Sequence, residues 1–386
     1  MDSPIVVRRG ETENHFRLKR LALLWAQANR YSACAAEVSL PRCRYRADVA
    51  AYRAGARELY QANLHSRVAS RILVRVAEFR ATAFWELEKR ARVIPWTELV
   101  APGRAVGFRI TSKKSKLYHQ DGIAERLASA VTGALPGAIV SDAEGAQEFV
   151  VRVFRDVVTV SIDSSGALLH QRGYRFAAAK APLRENLGAA LILAARWDTS
   201  RPLLDPFAGS GTMPIEAALI ARRIPPGWQR RFAFEEWPGF DAREWQSVRA
   251  EAESNILPRA AAPIYGSDRD AGAIEAASSN AERAGVRGDI EWRRAAFSEA
   301  VAPEPAGWIV SNPPYGVRLS EGNQLRDLFA KLGQLARERY RHWRVALLAA
   351  DPRLIAATGL VLGEALRFRN GGIPVRLVVR EPGVSS

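Results

Sequence analysis

Two short segments of this chain carry residues that could do chemistry together. The first, DPFAGSGTMPIEAA, begins at Asp205 directly after the apolar run RPLL. The second, WIVSNPPYG, lies well downstream and ends another apolar run. A carboxylate and a glycine-rich turn at one strand end, with an asparagine and two prolines at another, predict a small-molecule site at the rim of an α/β sheet. Ligands of such sheets bind beyond the carboxyl ends of the parallel strands.

The acidic residues narrow the choice of ligand. The dinucleotide fingerprint G-x-G-x-x-G is absent, and Asp268 in YGSDRD follows Asp205 at far more than the roughly 20 residues expected for a nicotinamide cofactor. No lysine follows Gly211, so the loop is not a phosphate-binding P-loop. S-adenosylmethionine fits better, since it offers an amino-acid end to the Asp205 loop and two ribose hydroxyls to Asp268. The expected cofactor-binding residues are Asp205, Phe207, Ala208, Gly209, Ser210, Gly211, Thr212, Asp268 and Arg269.

The second segment predicts methyl transfer to an amine. The lone pair of an exocyclic nucleobase amine is delocalised into the ring, and acceptors for its two N–H groups help to direct that lone pair at a methyl donor. Asn312 and the carbonyl of Pro313 can act as these acceptors, Pro314 restricts the backbone, and Tyr315 offers a ring for stacking an extruded base. A proline-rich turn without function is the alternative. The order of the two segments favours catalytic roles for all four residues.

These segments need a sheet to position them, and the C-terminal half predicts one. From Ala181 onward, the apolar strands PLLD, PIYGSD, WIVSN and RVALLAAD alternate with helical patterns and end in a hairpin, GLVLGEALRF and IPVRLVVRE. This alternation is typical of a doubly wound, Rossmann-like α/β sheet. Residues 56–165 mix strands and helices as an α+β module. Residues 1–55 combine a helical pattern, FRLKRLALLWAQAN, with one or two short strands near Pro41.

Charge separates the two halves of the chain. The net charge is +15, and residues 1–175 hold 28 Lys and Arg against 17 Asp and Glu, whereas the rest is nearly balanced. A basic first half predicts contact with a polyanion, although a solvated surface has the same composition. Cys34 and Cys43 are too few for a zinc site or a disulfide framework. No apolar run approaches the roughly 18 residues of a membrane span. We therefore expect a cytoplasmic protein without a metal or a membrane partner.

Together with LLHQRGYR and KAPLRENLGAALI, the motifs DPFAGSGTMPIEAALIA and SNPPYGVRL resemble the THUMP-domain family of RNA guanine-N2 methyltransferases, in particular the bacterial enzymes acting on 23S ribosomal RNA. The resemblance runs from about Glu58 to the C-terminus. It implies a class I methyltransferase domain at 181–386, a linker at 166–180 and a THUMP RNA-binding module at 56–165, preceded by an atypical N-terminal segment at 1–55.

The same resemblance implies where RNA binds. The segment TSKKSKLYHQ within the expected THUMP module supplies Lys113, Lys114, Lys116 and Tyr118 for phosphate contact and stacking. Other substrates stay open, because the same amine chemistry fits guanine N2 in tRNA and adenine N6 in RNA or DNA. An alternative of another class is a non-catalytic RNA-binding protein that keeps the fold.

Three features depart from the family pattern. Ala208 stands where a cysteine is usual, which matters little because the loop works through its backbone. In IEWRRAAFSEA, Ala295, Ala296 and Phe297 occupy the region where an Asp commonly contacts the adenine amine, so adenine is left to backbone groups and packing. Residues 1–55 do not match the usual opening of the family. They faintly resemble a restriction-endonuclease-type module, with Glu37 and Asp48 as acidic positions but without a following E-x-K.

Two further groups of residues are assigned structural roles. The segment between Arg222 and Ile256 is rich in tryptophan, phenylalanine and arginine, and we expect it to pack as a lid against the sheet rather than to stack on RNA. Glu216 and Glu275 lie early on the helices that follow the two cofactor loops. We expect them to be capping or surface charges and not catalytic acids.

Overall fold

The computed structural model of the protein describes most of the chain as two seven-stranded sheets with their helices. Tyr315, Glu37, Asp48 and the helical pattern FRLKRLALLWAQAN lie outside the described residues. Among the helices that are described, none is long and apolar enough to cross a bilayer. The described ranges are 3–8, 44–46, 49–175, 183–300, 304–314 and 322–382.

The N-terminal sheet is mostly antiparallel. Its strands are β1 Ser3–Arg8, β2 Arg44–Arg46, β3 Val49–Ala54, β4 Arg71–Arg80, β5 Val106–Lys113, β6 Gln147–Phe154 and β7 Val157–Asp163. They lie in the order β2-β3-β1-β4-β7-β6-β5, and only β5 and β6 pair in parallel. Because β1 lies between β3 and β4, strands from residues 1–55 share one sheet with the α+β module expected at 56–165.

Among the described residues, four helical segments accompany this sheet: α1 Ala56–His65, α2 Phe84–Ala91, the single turn α3 Trp96–Leu99, and α4 Gln120–Ala134. Alternate residues of β6, namely Phe149, Val151 and Val153, are fully buried, as the two-residue period of a strand requires. The ring of Trp96 meets Phe149 edge-on, with centroids 5.1 Å apart. We call this sheet with its helices the N-terminal unit.

The C-terminal sheet is mixed. Its strands are β8 Leu203–Asp205, β9 Ile264–Asp268, β10 Ile290–Arg294, β11 Trp308–Ser311, β12 Arg344–Ala349, β13 Gly363–Asn370 and β14 Ile373–Arg380. In the order β10-β9-β8-β11-β12-β14-β13 the first five are parallel, and β14 is antiparallel to both neighbours. The predicted Rossmann-like arrangement is confirmed. β8 lies between β9 and β11, where the chain order reverses and such sheets bind ligands.

The helices of the C-terminal unit are α5 Glu185–Ala194, α6 Thr212–Ala221, α7 Ala242–Ser254, α8 Ala271–Arg283, α9 Gly322–Glu338 and α10 Pro352–Ala357, with short 3₁₀ turns at Ala233–Glu236 and Arg287–Asp289. Helix α8 starts sharply after β9 because the side chain of Asp270 accepts a hydrogen bond from the Gly272 N–H at 2.9 Å. Such an N-cap satisfies one of the free N–H groups of a first helical turn.

The aromatic residues of segment 222–256 pack into the N-terminal unit. The ring of Phe234 stacks on Tyr60 of α1 with centroids 4.6 Å apart, and Trp245 of α7 meets both rings edge-on. The backbone N–H of Asp241 donates to the Tyr60 hydroxyl at 3.0 Å. The predicted structural role is therefore right, but these rings complete the core of the N-terminal unit and do not form a lid on the C-terminal sheet.

Candidate active site

Three neighbouring strands of the C-terminal sheet bring most of the predicted residues to one cavity. β8 ends at Asp205, β9 ends at Asp268, and Asn312 directly follows β11. Because these parallel strands point the same way, the loops that follow them meet at one edge. The cavity there measures about 620 Å³, a size typical of small-molecule sites. The predicted residues on its wall are Asp205, Phe207, Ala208, Gly209, Ser210, Thr212, Asp268, Arg269, Asn312 and Pro314.

Asp205 is a buried carboxylate on this wall. Its side chain accepts hydrogen bonds at Oδ1 from the Phe207 N–H at 3.1 Å and from the Ser311 hydroxyl at 2.5 Å. Burial raises the pKa of Asp205 to about 7; the two hydrogen bonds lower it, and the nearby charge of Asp268 raises it further. A carboxyl group in this environment is only partly ionised at neutral pH, and a nearby cation would favour its charged form. The ammonium group of an amino-acid ligand would supply one.

The loop between β8 and α6 depends on two glycines with left-handed backbone. Gly209 has φ +51°, and a Cβ there would meet no atom within 4 Å, so this residue borders open space in the cavity. Gly211 has φ +88°, and a Cβ there would lie 2.9 Å from the Trp292 ring. The Asn280 amide donates to the Ser210 carbonyl at 3.0 Å and holds the loop from behind. Gly209 therefore leaves room for a ligand. Gly211, which is not on the cavity wall, permits close packing against Trp292.

Asp268 connects two loops at the cavity. Its Oδ2 accepts the Gly209 N–H at 3.0 Å, and its Oδ1 accepts the Asp270 N–H at 3.0 Å. Each carboxylate oxygen has a second acceptor position, so both can also accept from the hydroxyls of a ribose. The strand-end position of Asp268 predicts a ligand role. Its second role, tying the Gly209 loop to β9, had no signal in the sequence.

Asn312 presents an acceptor that the rest of the described chain does not use. Its Oδ1 is buried and has no hydrogen-bond partner among the described residues. Leaving a buried amide oxygen unpaired costs about 1–3 kcal/mol, which a ligand N–H donor would recover. Pro313 behind it is buried, and Pro314 is exposed at the cavity. The site therefore fits a ligand that donates at Asn312.

An aromatic pair forms another part of the wall. The rings of Phe207 and Phe297 are stacked, with centroids 5.3 Å apart and planes 24° apart, and Ala296 lies beside them on the cavity. An adenine ring could therefore be held by packing against Phe207 and Phe297, without the Asp that the resembled family commonly has near Ala296. Leu325 and Leu328 of α9 also line the cavity, although neither is among the predicted site residues. The only available signal was the amphipathic pattern of that helix, since neither residue belongs to a motif.

Glu216 corrects one prediction. It was expected to be a cap or a surface charge, but it is fully buried on α6 and lies 3.4 Å from the guanidinium Nε of Arg172. The partner is distant in sequence, so the residue types near Glu216 could not reveal it. Glu275 is exposed, as predicted. Within the described ranges, no group of three or more His, Cys, Asp or Glu side chains is placed to hold a metal ion.

The predicted lysine segment lies on the N-terminal unit and not on the cavity wall. Lys113, Lys114 and Lys116 are exposed. Tyr118 is 68% exposed, and its ring lies against His119 with centroids 4.2 Å apart. The sequence therefore located a surface with cations and an accessible aromatic ring, but not a part of the cavity.

Further cations adjoin this segment. Strand register aligns Lys113, Phe154, Val157 and Arg80 in one row across β5, β6, β7 and β4, and Arg155 follows β6 in a two-residue turn. Its neighbour Asp156 accepts the Lys116 N–H at 2.8 Å, which fixes the lysine segment to that turn. The exposed cations at this end of the sheet form a surface that we call the basic edge: Arg80, Lys113, Lys114, Lys116 and Arg155.

Comparison with known proteins decides the family. The family described as "RMKL-like, methyltransferase domain" matches residues 172–377 of this chain. The chain belongs to this family. A Synechocystis protein provisionally named an RNA methyltransferase is 32% identical to this methyltransferase over 329 residues, which are 84% of this chain and 86% of that protein.

Two crystal structures resemble the methyltransferase along nearly its whole length. SMU.472, described provisionally as a methyltransferase and complexed with SAH, is 26% identical with a TM-score of 0.84, covering 100% of both chains. A Listeria monocytogenes protein, described as a predicted N6-adenine-specific DNA methylase, is 28% identical with a TM-score of 0.83, covering 99% of this chain and 97% of that one. SAH is S-adenosylmethionine after loss of its methyl group. The predicted cofactor of this methyltransferase, S-adenosylmethionine, is confirmed.

Proposed function

We propose that this methyltransferase transfers a methyl group to the exocyclic N2 of a guanine in structured RNA, with 23S ribosomal RNA as the first substrate to test. The observation that carries the proposal is the buried Oδ1 of Asn312, which no described residue contacts with a hydrogen-bond donor and which lies on the wall of the cavity that also contains Asp205 and Asp268. An acceptor that lacks a donor among the described residues, beside a loop that binds the methyl donor, suits an amine substrate.

Different residues of the cavity bind different parts of the cofactor in this proposal. Asp205 binds the cationic amino-acid end of the cofactor, Asp268 accepts from its ribose, and the Phe207–Phe297 pair packs against its adenine. Gly209 lets the backbone approach closely. When bound, S-adenosylmethionine supplies an electrophilic methyl group on a sulfonium sulfur. The cavity size and the remaining acceptor positions of the two carboxylates support this assignment.

Asn312 and Pro313 act on the target amine. The Asn312 Oδ1 and the Pro313 carbonyl accept its two N–H groups, which orients the nitrogen lone pair and opposes its delocalisation into the base. Neither acceptor can take up a proton at neutral pH, so the amine proton is lost to water after the nitrogen has been alkylated. Tyr315 stacks on the extruded base in this proposal.

The basic edge supports an RNA substrate. Its cations are exposed and held in register by a sheet and a two-residue turn, and the Tyr118 ring is accessible beside them. Such a mixture binds phosphates and unpaired bases. We therefore propose that residues 56–165 act as a THUMP-type RNA-binding module, joined to the methyltransferase domain at 181–386 by the linker 166–180, and that the protein acts in the cytoplasm.

Two neighbouring substrates use the same chemistry. Guanine N2 in tRNA and adenine N6 in RNA or DNA both present an amine to Asn312, and the Listeria protein is described as a predicted N6-adenine DNA methylase. The RNA name of the Synechocystis relative, at 32% identity, favours RNA. A non-catalytic RNA-binding role is disfavoured, because such a protein would have no need for a buried Asn312 acceptor that is without a donor in the described part of the chain.

The test is a comparison of modified nucleosides. We would delete the gene, restore it as wild type or as Asn312→Ala, and quantify N2-methylguanosine and N6-methyladenine in purified 23S rRNA, tRNA and DNA by mass spectrometry. The proposal expects 23S rRNA to lose N2-methylguanosine and only the wild-type gene to restore it. Loss from tRNA, or of N6-methyladenine, would assign a neighbouring substrate instead. Unchanged nucleosides in all three pools would overturn the enzymatic proposal.

A further inference from the structure

The motif RGYR at residues 172–175 connects the two units of the molecule, and the functions assigned so far do not use it. Three of its side chains, those of Arg172, Tyr174 and Arg175, contact helix α6. They do so at Thr212 and Glu216, which are one helical turn apart and therefore on one face. Thr212 is the first residue of α6 and lies on the cavity wall.

Arg172 fixes the motif to the N-terminal unit. It is buried, and its guanidinium donates to the carbonyl of Arg67 at 2.5 Å and to that of Leu169 at 2.7 Å. The same guanidinium pairs with Glu216, whose Oε1 also accepts the Tyr174 hydroxyl at 3.2 Å. Buried ion pairs of this kind are costly to break on one side, because the remaining charge is left without compensation. The position of the motif relative to α6 is therefore strongly specified.

Arg175 extends from this anchor to the donor site. Its Nη2 donates to the Thr212 Oγ1 at 2.7 Å and to the Leu183 carbonyl at 2.9 Å. Its Nε lies 3.0 Å from Glu185 Oε1, at the start of α5. Thr212 in turn donates to the Leu183 carbonyl at 3.3 Å. Because Leu183 also lines the cavity, one guanidinium holds two parts of the cavity wall together.

We propose that Arg175 is a positioning residue for the methyl donor: it sets Thr212 and Leu183 on the cavity wall, from a segment that Arg172 anchors to the N-terminal unit. The planar fork of arginine is required, since a single group must donate to Thr212 and Leu183 while facing Glu185. This inference rests on the assigned cofactor and not on the identity of the methylated nucleic acid.

The experiment is calorimetric titration of the full-length protein with SAH, without RNA. Arg175→Lys keeps the positive charge beside Glu185 but cannot make the forked contact, so we expect a five- to tenfold increase in Kd, approaching the tenfold that about 1.4 kcal/mol represents. The matched control is Arg184→Lys, an exposed arginine close in sequence for which we expect an unchanged Kd. Equal Kd values for wild type and Arg175→Lys would overturn the proposal.

A second measurement separates positioning from general destabilisation. Thr212→Val removes the hydroxyl and keeps the shape, so combining it with Arg175→Lys should cost clearly less than the product of the two single effects. If the two changes raised the Kd for SAH independently, so that their effects multiplied, the proposal that Arg175 acts through Thr212 would be overturned. The KM for the donor should rise in Arg175→Lys, with kcat at saturating donor and the thermal midpoint of the free protein close to wild type. If the wild type failed to bind SAH, the donor-site assignment itself would fail, a result distinct from equal affinities.

Discussion

Within the described ranges each sheet has seven strands, but the two sheets present their functional residues differently. In the C-terminal sheet, β9, β8 and β11 are parallel, so each needs a long connection at the same edge, and these connections enclose a cavity. In the N-terminal sheet, β6 turns directly into antiparallel β7 through two residues, so that edge stays short and exposed. One sheet therefore builds a concave site around the buried Asp205 and the partly buried Asp268, and the other builds an open, cationic surface. We propose that the first sheet carries the chemistry and the second the affinity for RNA.

Removing the Asn312 acceptor should cause the largest effect, and this effect should be on the rate of methyl transfer in the cavity. Asn312→Ala should lower the single-turnover rate about 10²–10³-fold, as expected for loss of one positioned polar group at a transition state. Affinities for SAH and for RNA should stay near wild type. Single-turnover kinetics with RNA, together with both binding measurements, would check this. A near-normal rate would remove Asn312 from the chemistry.

Asp268→Ala should weaken donor binding roughly ten- to a hundredfold, since charge-assisted hydrogen bonds contribute about 1.5–3 kcal/mol. The change removes the expected ribose contacts and the bond to the Gly209 N–H. Calorimetry with SAH measures it, and RNA binding to the basic edge should not change. Asp270→Ala is the control, because Asp270 caps α8 and is not on the cavity wall; its Kd should stay within about twofold of wild type. Equal effects of the two changes would contradict a ligand role for Asp268.

Donor binding should depend on pH through Asp205. Because burial raises its pKa to about 7, protons compete with the cationic donor, and Kd for SAH should rise about tenfold from pH 8 to pH 6. The free energy of unfolding of the free protein should move the opposite way: the folded carboxyl holds its proton to a higher pH, so its contribution falls from about pH 4 to about pH 7. Asp205→Asn should bind weakly at every pH. A wild-type Kd that is flat with pH would contradict this role.

The smallest effect should come from the basic edge. It should be an effect on RNA affinity, and it should depend on salt concentration. Changing Lys113, Lys114 and Lys116 together to Ala should weaken RNA binding uniformly across sequences. It should also flatten the salt dependence by about 0.7–0.9 in slope for each phosphate that the variant no longer neutralises. Donor affinity should be unchanged. Lys331→Ala, on helix α9 of the other unit, is the control. An unaltered salt slope would show that this edge is only solvated surface.

Much of the C-terminal site could be predicted from the sequence, because its residues are local to strand ends. Asp205, Asp268 and Asn312 each terminate or directly follow an apolar run, and parallel strands bring such positions together. The sequence itself shows Ala296 in place of an acid, but the stacking of Phe297 on Phe207 follows only from the fold. The hydrophobic pattern of the sequence can place a residue at the end of a strand, but it does not indicate which aromatic ring that residue contacts.

The rest depended on contacts between distant segments. The sequence around Glu216 does not indicate that Arg172 pairs with it. The sequence of the aromatic segment 222–256 does not indicate which core it completes. The basic edge shows the same limit. Lys113, Lys114 and Lys116 were visible as a run, whereas Arg80 and Arg155 join them only through strand register.

The packing of Phe234 and Trp245 against Tyr60 has a consequence for how this chain can be recombined. A chimera cut within residues 166–180 would separate the N-terminal unit from rings that complete its core and leave those rings exposed on the other half. A functional exchange between relatives must carry both the first 165 residues and the segment 222–256 from the same parent. We therefore expect the two halves to be exchangeable only together, although their sheets are separate.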